Sequence, residues 1–364
     1  MTRIQTRLTW VIALFAVLLA PLGIEGLRAD DGRIPIYKQS SITAPGHYVV
    51  TRDFSYTSGN GVFIQANNVT LDLDGHTITG PACVSGEAAV QINSIVATRG
   101  IVIRNGRLMS GCYGITAFST NRVSVRIQHV EVGGPGLQGI SIVALDFAEV
   151  TTCYVHDVGT IYGINLRGQT GSFNGIISDN IVERVGATGI LLDGLAAGQV
   201  RRNVVTSFGS ISAAADGIRL LADFLTWGAG GNLVEGNTVT ALPGGTDDDG
   251  IRADDTSPNN LILNNVVKGC RYGIFSYGDW TRIERNVVSN NTIHGIRAGS
   301  GVVGSFIHVE ENQTQANLGA GGCGIQLDNG NSHVSRNNNV RGNTVAGVCN
   351  ATLGTNVDGG GNIP

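Results

Sequence analysis

The dipeptide Gly-Ile returns at Gly100, Gly114, Gly139, Gly163, Gly189, Gly217, Gly250, Gly273, Gly295 and Gly324, and this recurrence limits the possible folds more than any other feature. From Gly114 onward the steps are 25, 24, 26, 28, 33, 23, 22 and 29 residues. One more copy, at Gly175, is out of step. Between the copies lie short apolar patches written Asn-x-Val or close to it, beginning at Asn180, Asn203, Asn237, Asn265, Asn286 and Asn343. Each patch has the length of a short strand and is too short for a helix. A variable period near 25 therefore predicts stacked coils of parallel strands, two or three per coil, in one quasi-one-dimensional domain. Repeated two-residue hairpin turns, which a sandwich would need, are missing. So is the Leu-x-x-Leu-x-Leu frame of a leucine-rich horseshoe.

Composition agrees. Gly occurs 53 times in 364 residues, a load that disfavours helices because each interior Gly costs about 1 kcal/mol against Ala. The 42% hydrophobic fraction argues for a packed core. Gly and Asn tolerate left-handed backbone, so both are expected at the corners between strands. Stacked Asn side chains are expected to hydrogen-bond from coil to coil. About eleven coils at roughly 4.8 Å each would make a rod of about 50 Å.

The stretch Asn67-Asn68-Val69-Thr70-Leu71-Asp72-Leu73-Asp74-Gly75-His76-Thr77-Ile78 resembles the opening coil of bacterial right-handed parallel β-helix repeat proteins. Upstream, Ala44-Pro45-Gly46-His47-Tyr48-Val49-Val50 resembles their lead-in. The resemblance covers residues 33–350 and implies an all-β right-handed parallel β-helix of the pectate-lyase-like superfamily, including NosD-type repeats. That scaffold hosts lyases, hydrolases, epimerases and plain binding modules, so it specifies fold better than function. The chain divides into a signal at 1–29, a lead-in and cap at 30–60, the β-helix at 61–350 and a tail at 351–364.

Residues 1–29 read as a secretory address. Arg3 and Arg7 precede an apolar run from Leu8 to Ala20, which Pro21 ends, and cleavage after Ala29 is plausible. The run is short for a membrane span, so the mature protein is expected to be secreted or periplasmic and off the membrane. Disulfides are permitted there. Cys83 and Cys112 stand 29 residues apart and Cys323 and Cys349 stand 26 apart, so neighbouring coils bring each pair within bonding reach. Cys153 and Cys270 are four coils apart and are expected to be buried thiols. A net charge of -4 leaves no basic footprint for nucleic acid.

Counting Gly as zero, positions two and four face outward if the strand alternates. That outer ladder, with the residue before Gly, gathers its charges and aromatics in the middle coils. Asp193, Asp216, Asp249, Asp254, Arg219 and Arg252 are the catalytic candidates, and Arg297, Tyr272, Tyr277, Trp227 and His294 the substrate-binding candidates. The widest step follows Gly217, and its extra residues fall around 222–231, with Phe224 and Trp227, and 241–248, where loops would wall a binding face. A uronate lyase would use the arginines to hold a carboxylate, with Asp193 and Asp254 as candidate Ca²⁺ ligands. A glycoside hydrolase would use two of the carboxyls. Tyr272, Tyr277 and Trp227 would stack on sugar rings. The bland alternative is that Arg and Asp on neighbouring strands merely pair, for about 0.2–1 kcal/mol each. The sequence thus predicts an extracytoplasmic protein that binds a polysaccharide along its middle coils, with lyase or hydrolase cleavage as the enzymatic form. The alternative is a non-catalytic cell-surface or extracellular scaffold.

Overall fold

A computed structural model describes residues 32–363 apart from 85, 93–96, 118–121, 144, 169–173, 210–214, 222–229, 243–247, 300–305, 318–321, 329–332 and 351–356. The expected signal at 1–29, the substrate candidate Trp227 with its neighbour Phe224, and half of the expected tail at 351–364 lie outside the described residues. No helix among those described is long and apolar enough to cross a membrane.

From Ile34 onward the chain is one all-β unit of parallel coils. Thirteen strands among the described residues stack into a first sheet, each pairing in parallel with its counterpart one coil away. Ten of these carry the Gly-Ile signature or its Gly347-Val348 variant, so it is called the Gly-Ile sheet. The three earlier members, Ser40–Ile42, Val62–Ile64 and Ala88–Ile92, lack the signature and were invisible to the repeat. The other two faces of each coil hydrogen-bond as a second continuous sheet. It is continuous because Thr98–Met109 and Val123–Gly133 run unbroken through a corner where later coils split into two strands. Gly100 belongs to the first of these long strands, and the out-of-step Gly175 starts another strand of the second sheet. Gly100-Ile101 is therefore no member of the Gly-Ile column, although it shares the dipeptide.

Inside, Ile115, Ile140, Ile164, Ile190, Ile218, Ile251, Ile274, Ile296 and Ile325 stack at zero exposure. Opposite them stand Val132, Val155, Val182, Val205, Val239, Val267 and Val288 of the second sheet, equally buried. This face-off corrects the expected role of the glycines. None from Gly114 to Gly324 in the Gly-Ile column has positive φ. A methyl at Gly217 would instead lie 2.6 Å from the Gly250 carbonyl oxygen and nearer still to Val239. The column is Gly because two sheets meet there with no room for Cβ.

The left-handed corners lie elsewhere and carry mixed residues: Thr152, Asp179, Arg202, Gly236, Asn264, Arg285, Glu311 and Asn337. The next residue is usually Asn, and these asparagines form one buried ladder from Asn180 through Asn203, Asn237, Asn265, Asn286, Asn312 and Asn338 to Asn362. In each step the backbone N–H and the side-chain Nδ2 both donate to the next Asn Oδ1, as from Asn203 to Asn237 at 2.9 and 3.0 Å. Asn343, which the sequence pattern grouped with them, belongs to a second ladder with Asn291 and Asn317. The two buried free thiols occupy the first rungs: Cys153 donates its N–H to Asn180 Oδ1 at 2.9 Å, and Cys270 to Asn291 Oδ1 at 3.0 Å. Disulfides join Cys83 to Cys112 and Cys323 to Cys349.

Candidate functional site

The strands Thr188–Asp193, Asp216–Leu221, Asp249–Ala253, Tyr272–Ser276 and His294–Ala298 are consecutive in the Gly-Ile sheet. Register pairs Asp216 with Asp249, Arg219 with Arg252, Arg252 with Phe275, and Phe275 with Arg297. Tyr272 pairs with His294. Because Gly interrupts the alternation by turning inward with the following Ile, the residue before it faces outward beside position two. The structure so gathers two adjoining groups, one of Asp216, Arg219, Asp249, Arg252 and Asp254, the other of Tyr272, Phe275, Tyr277, His294 and Arg297.

In the acidic group Asp254 is the hub. Arg219 Nε donates to its Oδ2 at 2.8 Å and Arg252 Nε donates to its Oδ1 at 2.7 Å. With both oxygens engaged by guanidinium groups, Asp254 is not presented to a cation. Asp193 sits beside Leu221 in register and meets Arg167 at 3.1 Å, so it stands apart from the hub. The Ca²⁺ expectation for Asp193 and Asp254 thus meets arginines in both places. No group of three or more His, Cys, Asp or Glu among the described residues is placed to hold a metal.

Asp216 and Asp249 are different. Each is 2% exposed. The ion-pair contacts of each are long, Arg219 at 3.6 Å for Asp216 and Arg252 at 3.7 Å for Asp249, and the Tyr272 backbone N–H also donates to Asp249. Asp216 Oδ2 and Asp249 Oδ1 are buried without a hydrogen-bond partner. Burial, reinforced by the neighbouring Asp249, pushes the Asp216 carboxyl up to about 8. Burial raises Asp249 as well, to about 6, with Arg252 working against it. Both register neighbours are thus biased toward the protonated form, because the charged form of either is poorly solvated and two charges side by side are worse.

The second group is aromatic and cationic. Arg252 lies 5.7 Å from the Phe275 ring centre and 5.6 Å from that of Tyr277, which links the groups. Arg297 lies 5.1 Å from the Tyr272 ring centre and 4.9 Å from that of Phe275, and its Nη1 donates to the Tyr272 hydroxyl at 3.0 Å. Its Nε donates to Asp328 at 2.8 Å. Tyr272 and His294 stack at 5.5 Å. Burial lowers His294 to about 4, so it is neutral at pH 7. The Cys323 N–H donates to its Nδ1 at 3.1 Å, which leaves Nε2 as the protonated nitrogen. Arg271, whose guanidinium is 4.6 Å from the Tyr272 ring, was missed in the sequence because the ladder was read from one residue before Gly and Arg271 stands two before. Asp328 was legible as a position-four residue but carried no signal of its pairing.

Residues 138–314 match the family described as right handed beta helix region. No curated protein matches the chain. Among solved structures, the A-module of a mannuronan C-5 epimerase of Azotobacter vinelandii is similar at 12% identity and TM-score 0.41, over 86% of this chain and 91% of that one. The Dettilon tailspike protein is similar at 15% identity and TM-score 0.42, over 87% of this chain and 59% of that one. An alginate lyase of Paenibacillus sp. is similar at 12% identity and TM-score 0.34, over 91% of this chain and 99% of that one.

Proposed function

The chain is a right-handed parallel β-helix protein, and we propose that it acts outside the cytoplasm on a polysaccharide, which it hydrolyses at the Asp216–Asp249 pair. The observation that carries this reading is the pair itself: two carboxyls in register on adjacent strands, each buried, each with an oxygen lacking a hydrogen-bond partner, and both raised above the usual carboxylate range by burial. Such a pair can hold one proton between its members and so divide the roles of acid and base. Asp216, beside Arg219, would give the proton to the leaving glycosidic oxygen. Asp249 would attack the sugar or activate water. Register neighbours on parallel strands are about 4.8 Å apart. That is nearer the roughly 5–5.5 Å of retaining enzymes than the roughly 6.5–9.5 Å of inverting ones, so the pair favours retention through a glycosyl intermediate on Asp249. Arg219 and Arg252, held by Asp254, would position substituents of the sugar, and Tyr272, Phe275 and Tyr277 would flank it. Two disulfides support the extracytoplasmic location.

The non-catalytic scaffold is the second reading. It is favoured by the closed Arg219–Asp254–Arg252 arrangement, which satisfies three charges within the protein itself.

A panel of polygalacturonate, alginate, xylan and dextran separates the readings. Release of reducing ends, with a rate maximum between pH 6 and 8 and a loss of roughly a hundredfold or more in Asp216→Asn and Asp249→Asn, is the expected result. An ultraviolet-absorbing unsaturated product would move the chemistry to elimination. No product on any polymer would leave the scaffold reading.

A further inference from the structure

One corner beyond the aromatic group, the chain spends a tryptophan where its own design calls for a small residue. On this face one position close to the strand start repeatedly has left-handed backbone: Asn68, Gly100, Asn174, Ala197, Gly231, Asn259 and Trp280, with φ between 53° and 72°. They are true equivalents, because the residues two further on pair in register: Thr70 with Val102, and Ile176, Gln199, Leu233, Leu261 and Arg282 in succession. Six of the seven are Asn, Gly or Ala. Asn and Gly suit this backbone, and a bulky side chain there is an outlier that stores strain. Trp280 gains no core in return, for it is 57% exposed.

It is nonetheless held in place. Phe306, its register neighbour on the next coil, stacks against the indole at 4.8 Å and 8°. Its neighbour on the coil before is the shorter Asn259. One indole face is therefore backed by an aromatic ring, and the coil before carries a small polar residue at the equivalent position. Only Gly278 and Asp279 separate Trp280 from Tyr277, so this platform continues the aromatic group around the edge of the Gly-Ile sheet.

We propose that Trp280, backed by Phe306 and flanked by Asn259, is a second sugar-binding platform that takes the apolar face of a pyranose ring of the polysaccharide. A flat, rigid aromatic surface with an amide at its rim supplies contact area and a hydrogen-bonding group at little entropic cost. The inference rests on the polysaccharide reading for its ligand class and is independent of which carboxyls do the chemistry.

Electrophoresis in native gels cast with polygalacturonate, alginate, xylan or dextran tests it, run on wild type, Trp280→Asn, Trp280→Phe and Asp216→Asn, with thermal melts alongside. At least one polymer should retard wild type and Asp216→Asn alike. Trp280→Asn should weaken that retardation roughly tenfold in apparent Kd while its Tm equals or exceeds wild type, since Asn suits the backbone, and Trp280→Phe should restore part of the binding. Undiminished binding by Trp280→Asn would overturn the platform and leave hydrolysis untouched. A lower Tm for Trp280→Asn would make the tryptophan a packing residue and overturn it too. Self-association of wild type lost in Trp280→Asn would make the occupant a second copy of the chain, also against the proposal. If no polymer retards wild type the platform falls, and the product assay judges the hydrolysis reading separately.

Discussion

Asp254 and Asp216 are chemically the same residue with opposite fates, and the difference is where the arginines are anchored. Asp254 takes one guanidinium on each oxygen, whereas Asp216 is left with a 3.6 Å approach from a nitrogen already bonded to Asp254. A carboxyl raised in the native state binds its proton more tightly folded than unfolded, so it weakens the fold as pH rises. The unfolded value is near 3.9 and the folded one about 8. Stability should fall between those limits, by at most ~1.4 kcal/mol for each pH unit. Asp216→Asn should flatten that slope and melt above wild type at pH 8, while near pH 4 the two should be similar. Parallel Tm–pH curves for the two proteins would sink the assignment. The positions of Asp216, Asp249, Arg219 and Arg252 were legible in the sequence because they keep fixed offsets from Gly. Their burial was not. Alternation says outward, but neighbours stacked about 4.8 Å above and below cover much of each side chain, and pairing distances are not written in the spacing.

At the scale of the strand, the repeat revealed the coils and misattributed the cause of its own glycine. A sequence shows that Gly recurs without showing whether φ or space demands it. Here the demand is space, because a Cβ added at Gly217 would press on Val239 and on the Gly250 carbonyl. Gly217→Ala should therefore destabilise by about 1–3 kcal/mol, as overpacking does, through displacement of the second sheet. Chemical denaturation measures it, and the matched change Gly236→Ala supplies the contrast: its φ is +67° and its nearest neighbour would be 3.6 Å away, so its cost is backbone strain alone. A negligible effect at Gly217 would show that the sheets are less tightly apposed than described. The Asn ladder was legible as a composition bias and a spacing. That Asn343 leaves it for a second ladder was not, because two corners of the coil use the same residue for the same purpose.

At the scale of the whole molecule, stability is close to a sum over coils and their contacts, so the ends are the places where melting begins. The disulfides sit near those ends, closing separations of 29 and 26 residues, and each should contribute about 3 kcal/mol. Reduction should lower Tm and strip hydrogen-exchange protection first from Ser40–Ile92 and Val334–Asn350, leaving Thr188–Ala298 protected. Uniform loss along the chain would contradict this. The cysteine spacing made the pairs legible because the coil period brings equivalent positions together. In-register stacking has a wider consequence. Gln138 faces Tyr113 on one side and Tyr162 on the other, and Tyr162 faces Thr188. Excising Gly139–Tyr162 would bring Gln138 to face Thr188 with every other strand still matched. A gene encoding such a chain can be lengthened or shortened by copying or dropping one turn, without redesigning the rest.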